Sequence, residues 1–189
     1  MHGHPSQQRQ DDHLVIGVTG HIGAGKTSVA NYLQSVHEFF YVRYSKVLSD
    51  WLAKDPESRA HLQAVGWEVM AGGMQTELNT RLIAQIPPQL DCAVDGLRHP
   101  IDHESLTKAF PSRFRLLYIE SRQETRWQRV RKRYAELDTF RQADSHPVEQ
   151  QIDALRSKAF AVVENDGTLQ DLYSKVETLV KRIRTGGLS

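Results

Sequence analysis

Eight residues constrain this chain more than any others. Gly20-His-Ile-Gly-Ala-Gly-Lys26-Thr27 satisfies the spacing G-x-x-x-x-G-K-[ST] at every fixed position. It follows a buried-strand run, Leu14 to Val18, and opens a helical pattern that continues to His37. A strand, a glycine loop and a helix in that order form a phosphate cradle. Successive backbone N–H groups turn inward, and the helix N-terminus adds partial positive charge. The spacing assigns Gly20, His21, Ile22, Gly23, Ala24, Gly25, Lys26, Thr27 and Ser28 to nucleotide binding. Lys26 is expected to reach the β- and γ-phosphates of a bound nucleotide, and the Thr27 hydroxyl is the first ligand expected for Mg²⁺.

The rest of the chain repeats the alternation. Short apolar runs at Phe39–Val42, Cys92–Val94, Arg115–Ile119 and Phe160–Val163 are separated by helical patterns. The helices are expected at Ser45–Ala53, Ser58–Val69, Gln75–Ile86, Asp102–Phe110, Gln123–Tyr134, Val148–Ser157 and Leu169–Ile183. Five strands with helical crossovers predict an α/β fold: a five-stranded parallel sheet between two helical layers. Residues 1–12 carry no apolar periodicity and read as a disordered leader, leaving 13–189 as one domain. Tyr134 to Pro147 is the one long polar stretch inside that domain and is expected to be its mobile element.

Composition narrows the function classes. The chain has 24 Lys and Arg against 23 Asp and Glu, a formal charge of +1, which disfavours a nucleic-acid partner. A single cysteine excludes an internal disulfide framework and a cysteine-based zinc site. No apolar run approaches the roughly 20 residues that span a bilayer, so no membrane partner is expected and a cytoplasmic location is. The sequence leaves a monomer and a homodimer open.

A second signature stands at Asp95-Gly-Leu-Arg98, after the run Cys92–Val94. Ligands of parallel sheets gather at the carboxyl ends of the strands, so Asp95 is expected beside the phosphate loop. A carboxylate there joins Thr27 in holding Mg²⁺, and Arg98 can fork onto a phosphate of a second substrate. These motifs resemble the P-loop nucleoside monophosphate kinase superfamily. Asp95-Gly-Leu-Arg98 is similar to the Asp-Gly-Phe-Pro-Arg segment of adenylate kinases, and Gly17 to Thr27 is similar to the opening of dephospho-CoA kinases. Together with Tyr44-Ser45 to Asp50 and Glu164 to Gly167, these landmarks resemble an adenylate-kinase-like or dephospho-CoA-kinase-like branch, over about residues 14–184. The chain departs from dephospho-CoA kinases at Arg43-Tyr-Ser-Lys46, where they carry an Asp-Ala-Asp-like element.

The resemblance implies an ATP-dependent kinase with a small-molecule phosphate acceptor: a nucleoside or deoxynucleoside monophosphate, or dephospho-CoA. It makes Lys26, Asp95, Arg129 and Arg133 the catalytic set, the two arginines standing at the base of the lid (about 134–147). It implies that Asn165 and Gly167 pack on the adenine ring. It places acceptor binding in about 44–88, where Ser45, Lys46, Asp50 and Arg81 join Arg98 as candidate contacts. Arg122, Arg126, Arg129 and Arg133 recur three or four apart and are expected on one helix face. Asp138, Asp144 and His146 read as polar residues of the lid, with Arg141 entering from it. The competing reading is a regulatory nucleotide binder with slow or no hydrolysis, which the joint presence of Lys26, Thr27 and Asp95 disfavours.

Overall fold

The computed structural model describes residues 13–52 and 59–186; the expected leader, 1–12, lies outside the described residues. Its centre is a five-stranded, wholly parallel sheet. The strands are β1 (Val15–Thr19), β2 (Phe40–Arg43), β3 (Cys92–Leu97), β4 (Phe114–Glu120) and β5 (Ala161–Glu164), in the spatial order β2-β3-β1-β4-β5. All five residues of β1 are buried, as a strand covered on both faces requires.

The helices are α1 (Lys26–His37), α2 (Tyr44–Leu52), α3 (Arg59–Ala71), α4 (Gln75–Ile83), α5 (Pro100–Ala109), α6 (Gln123–Val130), α7 (Leu137–Asp144), α8 (Pro147–Gln150), α9 (Asp153–Arg156) and α10 (Leu169–Arg184). Two cores flank the sheet. Val29, Leu33, Leu172, Val176 and Val180 of α1 and α10 pack one face; Val47, Leu48, Leu78, Leu82, Leu106 and Leu155 pack the other. The starts of α5 and α10 are fixed by reciprocal caps, His99 with Asp102 and Thr168 with Asp171.

Three segments differ from the sequence expectation. The helix expected to reach Tyr134 ends at Val130, because the Trp127 indole donates to the Tyr134 carbonyl at 3.1 Å and the Tyr134 ring turns into a small core. The expected helix Val148–Ser157 is two short turns, α8 and α9, with Ile152 fully buried between them. The polar stretch from Tyr134 contains a helix, α7, whose Phe140 is fully buried against Ile22 of the phosphate loop and Tyr134.

Candidate functional site

The phosphate loop connects β1 to α1. Gly20 has φ 140° and Gly25 φ 109°, conformations that L side chains rarely adopt, and a Cβ would stand 2.3 Å from the Ile119 carbonyl oxygen at Gly20 and 2.4 Å from Asn165 Nδ2 at Gly25. Lys26 is almost completely buried, and its Nζ donates to the carbonyls of Gly20 at 2.6 Å and His21 at 2.9 Å. Two of the ammonium donors are thus taken by carbonyls of the loop itself.

Sheet register brings the second signature to the loop. Asp95 pairs with Val18 of β1 on one side and Arg43 of β2 on the other, at the carboxyl ends of all three strands. The Thr27 hydroxyl donates to Asp95 Oδ2 at 3.1 Å. Two hard oxygen donors this close suit Mg²⁺, which takes few protein ligands and completes its shell with phosphate and water oxygens. Thr27 and Asp95 are the candidate position on that ground, and among the described residues no group of three or more His, Cys, Asp or Glu could hold a metal ion.

Two neighbours of Asp95 escaped the sequence reading. Tyr41 donates its hydroxyl to Asp95 Oδ2 at 2.7 Å, and Arg43 Nε lies 3.3 Å from the same oxygen. Arg43 also donates to the Tyr41 hydroxyl oxygen at 2.9 Å through Nε. Burial, followed by the Asp95 charge, raises the Tyr41 phenol far above its ordinary pKa and keeps it a donor. The available signal was positional: Tyr41 and Arg43 end a strand that runs parallel to β3.

A cavity of about 640 Å³ opens from this point. Gly23, Gly25, Lys26, Thr27, Ser28, Asp95, Arg129, Arg133, Asn165 and Gly167 line one end; Tyr44, Ser45, Leu48, Leu62, Gln63, Met70, Gln75, Leu78, Arg98 and Val148 line the other. Ile22 also reaches it. Asn165 is buried and donates to the Ala24 carbonyl at 2.8 Å, tying the loop after β5 to the phosphate loop. Arg129 reaches the Asn165 side chain and the Gly167 carbonyl, both at 3.4 Å. Burial lowers the pKa of Arg129, and the nearby Asp166 opposes that shift.

Several expected site residues lie elsewhere. Lys46 and Asp50 form an exposed i,i+4 pair at 2.5 Å on the outer face of α2, and neither lines the cavity. Arg81 pairs with Glu77 at 2.8 Å and lies over the Trp51 ring, again outside the cavity walls. Helix geometry explains both: charges four apart on an exposed face pair with each other. The His21 ring points away from the cavity, with Nε2 2.7 Å from Asp153. Ala24 does not line the cavity; its carbonyl accepts from Asn165 and its N–H donates to the His21 carbonyl at 3.1 Å.

The arginines in and around α6 and α7 also divide. Arg126 is buried, pairs with Asp144 at 2.5 and 2.8 Å, and donates to the Ile22 carbonyl at 3.0 Å. It is a tie between α6, α7 and the phosphate loop. Arg122 pairs with Asp166, and Arg141 with Asp138, both on the surface. His146 caps α8 by accepting from the Val148 N–H at 3.2 Å.

Below the Arg98 end of the cavity runs a buried polar chain that no motif announced. Tyr44 donates to Asn79 Oδ1 at 2.5 Å, and Asn79 donates to Asp102 Oδ1 at 2.8 Å. Gln75 donates to the same oxygen at 2.5 Å, while the backbone N–H groups of Arg98 and His99 donate to Asp102 Oδ2, each at 2.9 Å. Asp102 therefore fixes the backbone that carries Arg98. Burial, with the Asp102 charge adding to it, raises the Tyr44 phenol well above its ordinary pKa.

Comparison with curated sequences supplies the family. A UPF0200 protein of Methanothermobacter thermautotrophicus (strain Delta H) is 31% identical over 131 residues, which are 69% of this chain and 67% of the relative. The chain belongs to the UPF0200 family. No protein-family model matches it. Among solved structures, shikimate kinase from Acinetobacter baumannii in complex with shikimate aligns with this UPF0200 member over 96% of the chain and 99% of its own length, with TM-score 0.59 and 16% identity. A gluconokinase from Sinorhizobium meliloti 1021 covers 95% of the chain and 100% of its own length, with TM-score 0.57 and 12% identity. At these identities the likeness is one of fold, and the UPF0200 chain has the P-loop kinase fold.

Proposed function

We propose that the protein is an ATP-dependent small-molecule kinase that transfers the γ-phosphoryl group to a nucleotide-like acceptor. The observation that carries the proposal is the single cavity joining the phosphate loop to Arg98 and the apolar walls of α2, α3 and α4. A donor nucleotide and an acceptor can meet in it without a covalent enzyme intermediate, so catalysis reduces to positioning and charge stabilisation.

In this reading the backbone N–H groups of the loop take the phosphate oxygens. Lys26 exchanges the carbonyls of Gly20 and His21 for the outer phosphates. Thr27 and Asp95 would hold Mg²⁺, which when bound neutralises charge on the β- and γ-phosphate oxygens. Arg129 and Arg133 face the same space and stabilise the charge that spreads over the transferred group. Arg98 and Arg43 orient an acceptor phosphate, which is already a competent nucleophile. Its oxygen forms a bond to the γ-phosphorus as the bond to the β–γ bridging oxygen breaks, and ADP leaves. The segment 134–147 would serve as the lid, with Phe140 anchoring it to the phosphate loop. Asn165 and Gly167 flank the adenine.

The test is ADP release from ATP and Mg²⁺ across nucleoside monophosphates, deoxynucleoside monophosphates and dephospho-CoA. Shikimate and gluconate serve as non-nucleotide acceptors. A rate that depends on Lys26 and rises with a nucleotide supports the proposal. A rate that rises only with a hydroxy acid moves the acceptor class, and a flat, slow rate across the panel removes the kinase reading.

A further inference from the structure

The acceptor end contains a buried carboxylate that the transfer chemistry does not use. Glu149, on α8, is fully buried, and its Oε1 accepts from Arg98 and, at 3.2 Å, from Gln63 Nε2. The same Gln63 nitrogen donates to the Ala143 carbonyl at 3.1 Å. A primary amide nitrogen has two N–H groups, and both are committed here. A carbonyl and a carboxylate can only accept, so turning the amide round would set its oxygen against two oxygens. The orientation of Gln63 is therefore fixed by its partners.

The consequence faces the cavity. Gln63 lines it, and the described residues donate no hydrogen bond to its carbonyl oxygen. Leu48, Leu62, Met70 and Leu78 form apolar walls nearby, suited to a flat ring. Arg98 has nitrogens beyond the one given to Glu149, and these offer donors to an anion. With both amide hydrogens committed, the oxygen is the polar atom Gln63 has left to offer the cavity, beside the Arg98 cation.

We propose that Glu149 is a positioning residue that sets the hydrogen-bonding polarity of the acceptor end. It selects a nucleotide whose base offers an exocyclic amine to Gln63 over one that carries a carbonyl at the same place. The inference rests on the nucleotide-acceptor reading above. A carbonyl-bearing base would face the Gln63 oxygen with another acceptor and leave both without a donor. An unpaired polar group of that kind lowers affinity by about tenfold or more.

The test uses two pairs of nucleotides that differ chiefly in this exchange, CMP with UMP and AMP with IMP. In the wild type, kcat/KM favours the amine-bearing member of each pair by about tenfold or more. In Glu149→Gln one of the two acceptors that hold the amide can turn a donor toward it, the fixed polarity is weakened, and the ratios fall toward one while the KM for ATP is unchanged. A purely structural role would lower both members alike and leave the ratios standing. Gln63→Leu removes the acceptor with Glu149 intact and should also level the ratios; it decides the matter if Glu149→Gln gives no cooperative melt. Equal or reversed preference in the wild type overturns the inference alone, as do ratios that survive both substitutions. If no nucleotide is turned over, or bound in the presence of ADP, the nucleotide-acceptor reading fails and the inference with it.

Discussion

At the phosphate end of the cavity, the contacts follow from one loop and its neighbouring strand ends. Lys26 reaches back five and six residues to its own loop, and Asp95 meets Thr27 because β1 and β3 are adjacent in the sheet. At the acceptor end the partners come from across the chain. Gln63 and Glu149 are 86 positions apart, Tyr44 and Asn79 are 35 apart, and each belongs to a different helix. The first end is specified by backbone geometry, which a short motif can encode. The second is specified by side chains that meet only after the helices pack. Substitution on α3, α4 or α8 can therefore reshape that end of the cavity without disturbing the loop.

The largest effect should come from Lys26→Ala. Phosphoryl transfer should fall by about a thousandfold or more, with the melting temperature little changed; near-wild-type turnover would remove the loop from the chemistry. Next is Arg126→Ala, which leaves Asp144 buried without its cation and should cost about 3–5 kcal/mol in urea unfolding. A cost below about 1 kcal/mol would show that the loop does not depend on α7. On the acceptor side, Tyr44→Phe removes one donor to Asn79 and should cost about 1–3 kcal/mol. Its KM for ATP should hold, and a rise in that constant would blur the separation of the two ends.

Beneath both ends, Cys92 opens β3 fully buried, and burial pushes its thiol up to about 12. The folded chain keeps a proton that the unfolded chain releases above about pH 8.5. Stability should be insensitive to this group below that pH and fall as pH rises toward about 12. Native protein should resist a thiol reagent at pH 8 and react fully in denaturant; rapid native reaction would contradict this burial. The smallest effects belong to Lys46→Ala and Arg81→Ala, each altering stability by no more than about 0.5 kcal/mol and leaving the acceptor KM in place. A severalfold rise in that KM would return those residues to the acceptor site.

The sequence exposed the sheet because five apolar runs alternate with helices, and α1 because its first residue closes the phosphate motif. It concealed α7, since eight largely polar residues bury only Phe140 among them. The arginine pattern of α6 was legible, but not its division of labour. Burial of Arg126 depends on Asp144, which lies 18 residues later on another helix. Lys46 with Asp50 and Glu77 with Arg81 were readable as surface pairs from their spacing of four. Tyr41 and Arg43 carried no motif, and only the register of β2 on β3 puts them beside Asp95.

The bonds from Lys26 to Gly20 and His21 bear on how this protein behaves at rest. A loop whose own carbonyls hold its cation keeps its shape by itself. An anion that binds there competes for partners already taken, and its grip reflects the difference between two sets of bonds. The loop is thus shaped in advance, and its affinity is set lower than the same contacts would give to an uncommitted cation.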